Sequence, residues 1–337
     1  MDNLTHTLTG YMLSRAGLDR LSPGATIALL IAANIPDVDV VTALAGSATY
    51  LEHHRGITHG LVMAPVMALL PLPLVWLFRK QPAQGRRVKW VGAWAASLAG
   101  VLSHLLLDWT NIYGVRLLAP FSGEWLRLDI TSVVDPWIWV LLAGCVLWPM
   151  LAGLVAGEIG ARSKSGPGAA QFALLTLTLY TGGRYLLHQR AIDTLDAHLH
   201  NGGVPVRAAA FPSPANPLRW IGLAELNNAY VMYELNLART FDTDDGRLYY
   251  KAGPTAQTQA AKQTYPFQAF LTFSQFPLWR LGQVADPPGA MEVEAIDLRF
   301  GVPGEGRFSA QCIVDAIGQV SDASFQFGRS NEGSRRD

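Results

Sequence analysis

Hydrophobic residues in this chain fall into long uncharged runs that alternate with short polar stretches. Four of these runs cover residues 61 to 78, 90 to 107, 136 to 157 and 165 to 183. Each is close to the roughly 20 residues that a helix needs to cross about 30 Å of hydrocarbon, at a rise of about 1.5 Å per residue. The pattern therefore predicts four transmembrane helices.

Two shorter apolar stretches, residues 5 to 18 and 22 to 35, precede the first long run. A turn of sequence LDRLSPG joins them, and each is too short to cross a bilayer comfortably. We therefore expect an N-terminal helical hairpin that dips into the membrane or lies against the bundle. Its second arm is expected to end at Pro36, because proline cannot continue an α-helix.

Beyond residue 190 the pattern changes to short alternating segments. Residues 204 to 220 are rich in proline, and EVEAIDLRFGV and RFSAQCIVDAIGQ alternate apolar and polar residues near glycine and proline turns, as antiparallel strands do. The predicted fold is an α-helical polytopic membrane domain followed by a β-rich domain. The predicted boundaries are 1–190 for the membrane domain, 191–206 for a linker, 207–328 for the β-rich domain and 329–337 for a disordered tail.

Composition agrees with a membrane protein. Half of the 337 residues are hydrophobic and only 15% are charged, well below the quarter or so that is usual in soluble domains. Equal numbers of acidic and basic residues, 26 of each, give no indication of a nucleic-acid partner. The two cysteines, Cys145 and Cys312, argue against a disulfide framework and are too few for a cysteine metal site.

The distribution of basic residues predicts the orientation in the membrane. Residues 79 to 89 carry five basic side chains and no acidic one, and residues 158 to 164 add Arg162 and Lys164. By the positive-inside rule both loops face the cytoplasm, so the β-rich domain is expected outside. The N-terminus lacks the basic start and the cleavage site of a signal peptide, so we expect Met1 to be retained.

Side chains that bind metals concentrate near the predicted helix ends. Five of the eight histidines lie in the first 108 residues, and imidazole and carboxylate are ligands of Zn²⁺ and similar divalent ions. His104 and Asp108 are one helical turn apart and so share a face. Antiparallel hairpins would bring four separate segments to one level of the membrane. The candidate groups are His6, Asp37, Asp39, His53, His54, His59, His104 and Asp108.

Each segment taken alone has a simpler explanation. A histidine and an aspartate at a membrane surface are often interfacial polar residues. Asp37 and Asp39 in NIPDVD could merely solvate a turn, and the three histidines of HHRGITHG could belong to a polar loop. The convergence of the four segments is what favours a site for one or two metal ions.

Four motifs in order resemble the series found in the YdjM-like inner-membrane metal-dependent hydrolases. They are HTLTG at 6 to 10, NIPDVD at 34 to 39, HHRGITHG at 53 to 60 and SHLLLDWTNIYGVRLLAPFS at 103 to 122. The resemblance implies a multi-spanning protein of the bacterial inner membrane with a hydrolase site. The tail segment SPANPLRW is similar to the extracytoplasmic tail of longer members. The resemblance matches seven residues to the family's polar signature: His6, Asp37, His53, His54, His59, His104 and Asp108.

These observations lead to a specific hypothesis about activity. A phosphoesterase would act on a lipid or lipid-linked substrate at the outer face of the membrane, where phospholipid headgroups meet the site. Asp39 or His53 would orient ligands or act as general base, and Arg55 would contact the anionic group of the substrate. The expected ligands of one or two Zn²⁺ ions are His6, Asp37, His54, His59, His104 and Asp108.

Two other classes of function compete with this hypothesis. A non-catalytic protein could use the metal site to hold two hairpins together. A metal transporter or sensor would need ionisable residues inside several spans, and the last two predicted spans have none between their ends. The sequence leaves open the oligomeric state, and whether His53, His54 or both bind metal.

Overall fold

The computed structural model of the protein describes residues 1–78, 87–158, 166–285, 287–304 and 308–327. Its N-terminal part is helical, and its C-terminal part contains two four-stranded antiparallel sheets. The predicted combination of a helical membrane domain and a β-rich domain is therefore confirmed. Most of the basic loop at 79 to 89, the basic residues of 158 to 164 and the predicted disordered tail lie outside the described residues.

The N-terminal hairpin consists of two helices that run antiparallel. Helix α1 (Asn3–Arg15) is capped by Asp2, whose carboxylate accepts a hydrogen bond from the Thr5 amide at 3.0 Å. After a 3₁₀ turn at Leu18–Leu21 the chain returns as α2 (Ala25–Ala32). Side-chain hydrogen bonds join the two arms at both ends of the hairpin. One lies between the hydroxyls of Ser14 and Thr26, and in the other the Asn34 amide donates to the Thr7 hydroxyl.

The α-helix of the second arm ends at Ala32, before Pro36, as the sequence predicts, but a further helical segment follows it. A 3₁₀ segment, Ile35–Ala45, continues from α2, and Pro36 stands in its first turn. Proline interrupts an α-helix but fits the first turn of a new helix, where no amide hydrogen bond is needed. As a result, Ala25–Ala45 is long and apolar enough to cross a membrane.

The first predicted span, 61 to 78, is not one straight helix. The chain passes through α3 (Ser47–His53), a 3₁₀ turn (Ile57–His59), α4 (Ala64–Met67) and α5 (Leu72–Phe78). The segments Ser47–His59 and Ala64–Leu77 meet at 88° and form at most one broken span. Prolines at 65, 71 and 73 explain the short helices, because each removes a backbone donor.

Three long helices complete the membrane domain: α6 (Trp90–Thr110), α7 (Pro136–Glu158) and α8 (Gly168–Asp196). Within the described chain three helices could cross a membrane, or four if the bent pair counts as one span; they include α6 and most of α7. Helix α8 is not among them, although the sequence predicts a span there. Its apolar part contains threonines and glycines and is followed by Arg184, which lowers its mean hydropathy.

Helix α8 also extends into the region that the sequence assigns to a linker. Residues 191 to 196 are helical, and Ala191 and Leu195 are completely buried. Leu195 packs against Gly222 in the first sheet. The helix therefore holds the β-rich domain directly, and only the residues after 196 connect the two parts.

Each sheet is a meander with strands in sequence order. Along the chain, two short helices separate the two sheets: α9 (Ala256–Lys262) and α10 (Tyr265–Phe273). The first sheet contains β1 (Arg207–Pro212), β2 (Arg219–Glu225), β3 (Ala229–Asn236) and β4 (Arg247–Tyr250). The second contains β5 (Pro277–Gln283), β6 (Met291–Asp297), β7 (Phe308–Val314) and β8 (Val320–Phe327).

The second sheet and α10 share a hydrophobic core with the membrane domain. Leu51 of α3 and Trp125 of the loop after α6 are buried in the same cluster as Phe270 and Phe308. A buried ion pair between Asp297 and Arg299 reinforces this contact, because Arg299 also donates to the Ile112 carbonyl at 3.1 Å. The β-rich domain is thus fixed to the loop that follows α6.

Glycines allow three helices to approach closely near the level of the candidate site. A Cβ added to Gly10 of α1 would lie 2.9 Å from the Ala33 Cβ, and one added to Gly100 of α6 would lie 2.9 Å from the Ala32 Cβ. Both glycines therefore pack on the same end of α2, as small residues commonly do between membrane helices. Each lies one helical turn from a candidate ligand, His6 or His104.

Replacing Gly100 by leucine should destabilise the helix packing and displace His104. We expect a loss of about 1–3 kcal/mol from overpacking, measured as a lower Tm of the detergent-solubilised protein. Gly144→Leu in α7 is the matched control, because a Cβ there meets nothing within 4 Å. Equal Tm values for the two variants would contradict the proposed packing role.

The Asp297–Arg299 pair should make stability sensitive to acid. Burial alone would raise the pKa of Asp297, but Arg299 and backbone donors outweigh it and lower the pKa below the ordinary value. The stabilisation is therefore complete above the unfolded pKa of about 3.9 and is lost as the pH falls through the lower folded pKa. Asp297→Asn should cost about 3–5 kcal/mol near neutral pH, because it leaves Arg299 buried without its partner.

The Tm of the wild type and of the variant is measured as a function of pH. The difference between the two Tm values should shrink toward low pH. Glu292→Gln, an exposed position on the same strand, should behave like wild type. A constant difference across the acid range would argue against this linkage.

Candidate metal centre

Four ligand-type side chains from three segments meet in one cluster. Asp37 comes from the 3₁₀ segment, His59 from the turn before α4, and His104 and Asp108 from the last turns of α6. The distances from His59 Nε2 are 3.1 Å to His104 Nε2, 3.4 Å to Asp37 Oδ1 and 3.5 Å to Asp108 Oδ2. From His104 Nε2 they are 3.6 Å to Asp37 Oδ1 and 3.3 Å to Asp108 Oδ2.

These distances fit the edges of a tetrahedral zinc site. Zinc bonds to nitrogen and oxygen are about 2.0–2.1 Å long, and a tetrahedron with such bonds has edges of about 3.3–3.4 Å. The five measured separations, 3.1 to 3.6 Å, scatter around that length. The four atoms could therefore hold one divalent ion without a large rearrangement.

His59 and His104 each use Nδ1 for a hydrogen bond within the protein, which leaves Nε2 available to bind a cation. His104 Nδ1 donates to the Ala33 carbonyl at 2.8 Å. Thr58 uses its hydroxyl hydrogen for Asp39, so His59 Nδ1 donates to the Thr58 oxygen at 3.0 Å. The two Nε2 atoms consequently face each other at 3.1 Å, a contact that needs either a shared proton or a metal ion between them.

Asp108 divides its two oxygens between protein donors and the cluster. Oδ1 receives Arg55 Nη2 at 2.9 Å and the amino group of Met1. Oδ2 is fully buried and has no hydrogen-bond donor among the described residues. A buried carboxylate oxygen without a donor is costly, and a metal ion at the cluster would satisfy it.

Asp39 orients the histidines around the cluster. Its carboxylate accepts hydrogen bonds from His54 Nδ1 at 2.8 Å, the Arg55 amide at 2.9 Å and the Thr58 hydroxyl at 2.9 Å. With three donors already bound, Asp39 positions its neighbours rather than taking a proton from a substrate. Asp37, Asp39 and His54 also form a second group with metal-binding spacing, which shares Asp37 with the first.

His6 lies beside the cluster. Its ring stacks on His104 with centroids 3.8 Å apart, and its Nε2 is 3.4 Å from Asp108 Oδ1. The side chain is buried, and neither ring nitrogen has a hydrogen bond among the described residues. The structure therefore brings His6 to the site, although it belongs to neither group with metal-binding spacing.

The structure separates His53 from His54 and changes the role expected of Arg55. His53 is exposed at the end of α3, bonds to the Thr49 carbonyl at 3.0 Å and lies in neither group. Because α3 ends between the two histidines, only His54 turns toward Asp39. Arg55 is buried and donates to Asp108, the Asn111 side chain and the Gly114 carbonyl, so it serves protein acceptors rather than a substrate anion.

Two supporting residues were not identified from the sequence. Thr58 links Asp39 to His59, and Asn111 accepts hydrogen bonds from Arg55 and from the amides of Tyr113 and Gly114. Both stand inside the motifs HHRGITHG and SHLLLDWTNIYG. Their position in those motifs was the available signal, since hydroxyl and amide side chains are not typical ligands of zinc.

The cluster is closed on most sides. The side chains of His59, His104 and Asp108 are inaccessible, whereas Asp37 is 17% exposed. On the side of the β-rich domain, Tyr113 covers the site. Its ring centroid is 5.7 Å from the ring centroid of His54 and 4.7 Å from the Arg55 guanidinium carbon. Access to the cluster is therefore from the side of Asp37.

Fold and cluster together define a polytopic membrane protein with a buried histidine and aspartate site at the ends of its apolar helices. The chain belongs to the YdjM inner membrane protein family, whose sequence model matches residues 1–191. That match confirms the resemblance found in the motifs and covers every residue of the cluster.

A similar protein extends the likeness to the C-terminal domain. Over 333 residues the chain is 25% identical to YfhP of Bacillus subtilis (strain 168), which is described as an uncharacterized protein. The alignment covers 92% of this chain and 90% of YfhP. The likeness therefore extends over both the helical and the β-rich parts of this chain. No solved structure matches the chain.

The geometry predicts which histidines are needed for metal binding. His59→Ala and His104→Ala should each abolish stoichiometric zinc in the purified protein, because each removes one of four converging atoms. His53→Ala, six residues from His59 but exposed, should retain it. Metal content by mass spectrometry of the purified variants, with circular dichroism to verify folding, checks the prediction. Equal zinc loss in folded His53→Ala would place the site elsewhere.

Proposed function

We propose that this protein is a membrane-bound metal-dependent hydrolase, a phosphoesterase that acts on a lipid or lipid-linked substrate at the outer face of the inner membrane. The observation that carries the proposal is the set of four converging ligand atoms, one of which belongs to a partly exposed residue, Asp37. Zinc is the ion that the nitrogen and oxygen set suits best.

A bound zinc ion would supply a Lewis acid for a phosphoryl oxygen and lower the pKa of water toward neutrality. The chain's own residues would hold and orient that ion. His104 and His59 present Nε2 because the Ala33 carbonyl and Thr58 hold their Nδ1 protons. Arg55 neutralises one oxygen of Asp108. Asp37 and His54 would contribute to a second ion, with Asp39 orienting His54.

A structural metal site is the second candidate. Four protein atoms would complete a tetrahedral shell, which is typical of structural zinc, whereas catalytic zinc keeps an open position. The exposure of Asp37 and its membership in both groups favour catalysis, because a shared, accessible carboxylate can give way to a substrate. The proposed outer location of the site depends on the basic loops at 79 to 89 and 158 to 164 facing the cytoplasm.

Metal depletion and restoration in proteoliposomes tests the proposal. Hydrolysis of the phosphoester bonds of phospholipids and of soluble phosphoesters should disappear after chelation and return with zinc. Asp39→Asn should reduce turnover or metal affinity about 10- to 100-fold, as losses of partners that orient metal ligands do. His53→Gln is the control and should retain wild-type turnover. Stoichiometric zinc without hydrolysis of any of these substrates would instead support the structural site.

A further inference from the structure

We propose that the substrate is a bilayer lipid that enters the site sideways, with its acyl chains along an apolar ridge formed by Val38, Val41 and Leu44. This inference rests on the proposed function, because it identifies how that site would receive its substrate. Hydrocarbon chains of the lipid would occupy the ridge.

The ridge follows from the geometry of the 3₁₀ segment Ile35–Ala45. A 3₁₀-helix has three residues per turn, so side chains three apart lie above one another. Val38, Val41 and Leu44 form one such row and are 48%, 58% and 90% exposed. Pro36 and Asp39, which belong to a different row, are buried against the protein.

The ridge begins beside Asp37, the exposed ligand of the cluster. Val38 follows Asp37, whose Oδ1 lies 3.4 Å from His59 Nε2. Ile57, Leu61 and Val62, which flank His59 in the sequence, are also about half exposed, at 58%, 48% and 57%. Two of the segments that supply ligands therefore also carry exposed apolar side chains, an arrangement that suits a phosphate group attached to hydrocarbon chains.

The β-rich domain closes the alternative approach from water. Tyr113, which covers His54 and Arg55, is itself backed by Phe273 at 4.7 Å and Trp125 at 5.8 Å between ring centroids. These rings belong to the core shared by α10, the second sheet and the membrane domain. A substrate that arrives from the aqueous side would have to open that core.

The sequence of the ridge segment also favours hydrocarbon over water. From Ile35 to Leu51 the only charged side chains are Asp37 and Asp39, which face the cluster. Ala25–Ala45 as a whole is apolar enough to lie in a membrane. An exposed apolar surface of this kind marks contact with lipid or with another protein, and its continuity with an apolar span favours lipid.

The first test compares two triple variants in proteoliposomes. Replacing Val38, Val41 and Leu44 by serine should reduce hydrolysis of a long-chain phospholipid at least tenfold and leave a soluble short-chain phosphoester unaffected. Serine at Leu147, Leu151 and Leu154, which are 52%, 56% and 69% exposed on α7, is the matched control and should change neither rate. Equal losses for both substrates, or no loss, would overturn the proposal.

The second test does not require turnover. In a variant with Cys145→Ala and Cys312→Ala, a cysteine introduced by Val41→Cys is labelled with a fluorophore, and brominated lipid should quench its fluorescence. The same label on Ile317→Cys, in the β7–β8 turn and 80% exposed, should not be quenched. Lack of quenching at position 41, or disulfide cross-linking between two copies there, would overturn the ridge as a lipid surface even if the enzyme is active. Quenching in a protein that hydrolyses nothing would support lipid contact and reject the proposed function.

Discussion

The structure depends on one constraint, which is that Asp108 is a carboxylate buried at the end of an apolar helix. An unpaired buried charge is far too costly to persist, so other segments must supply compensation. Arg55 reaches one oxygen from the loop after α3, and the second oxygen faces His59 and His104. The convergence of otherwise separate hairpins is the structural consequence of that requirement.

Close helix packing makes this convergence possible. Gly10 and Gly100 bring α1 and α6 against the same end of α2, where any side chain would collide with Ala32, Ala33 or the Leu29 carbonyl. The Ala33 carbonyl is then near enough to accept the Nδ1 proton of His104. These small residues thus affect the metal site indirectly. They position the Ala33 carbonyl, and its hydrogen bond to His104 Nδ1 leaves Nε2 of that ring for a metal.

The β-rich domain is part of the same arrangement rather than a separate module. Its aromatic core includes Trp125 and packs on Tyr113, both from the loop between α6 and α7. Arg299 holds that loop through the Ile112 carbonyl. A domain fixed in this way limits access to the site, which gives a physical reason for its position next to the helical domain.

The sequence by itself determined the helical and β-rich parts, the family and the segments that carry ligand-type residues, because hydropathy runs, alternation and motif spacing are local properties. It did not determine that 61 to 78 is broken, that the arm after Pro36 continues, or that 191 to 196 is helical, since competing local and packing effects decide helix ends. Only the tertiary structure distinguished His54 from His53 and assigned Arg55 to Asp108. Those choices depend on where a chain turns and which buried group needs a partner, and both are set by contacts between residues distant in sequence.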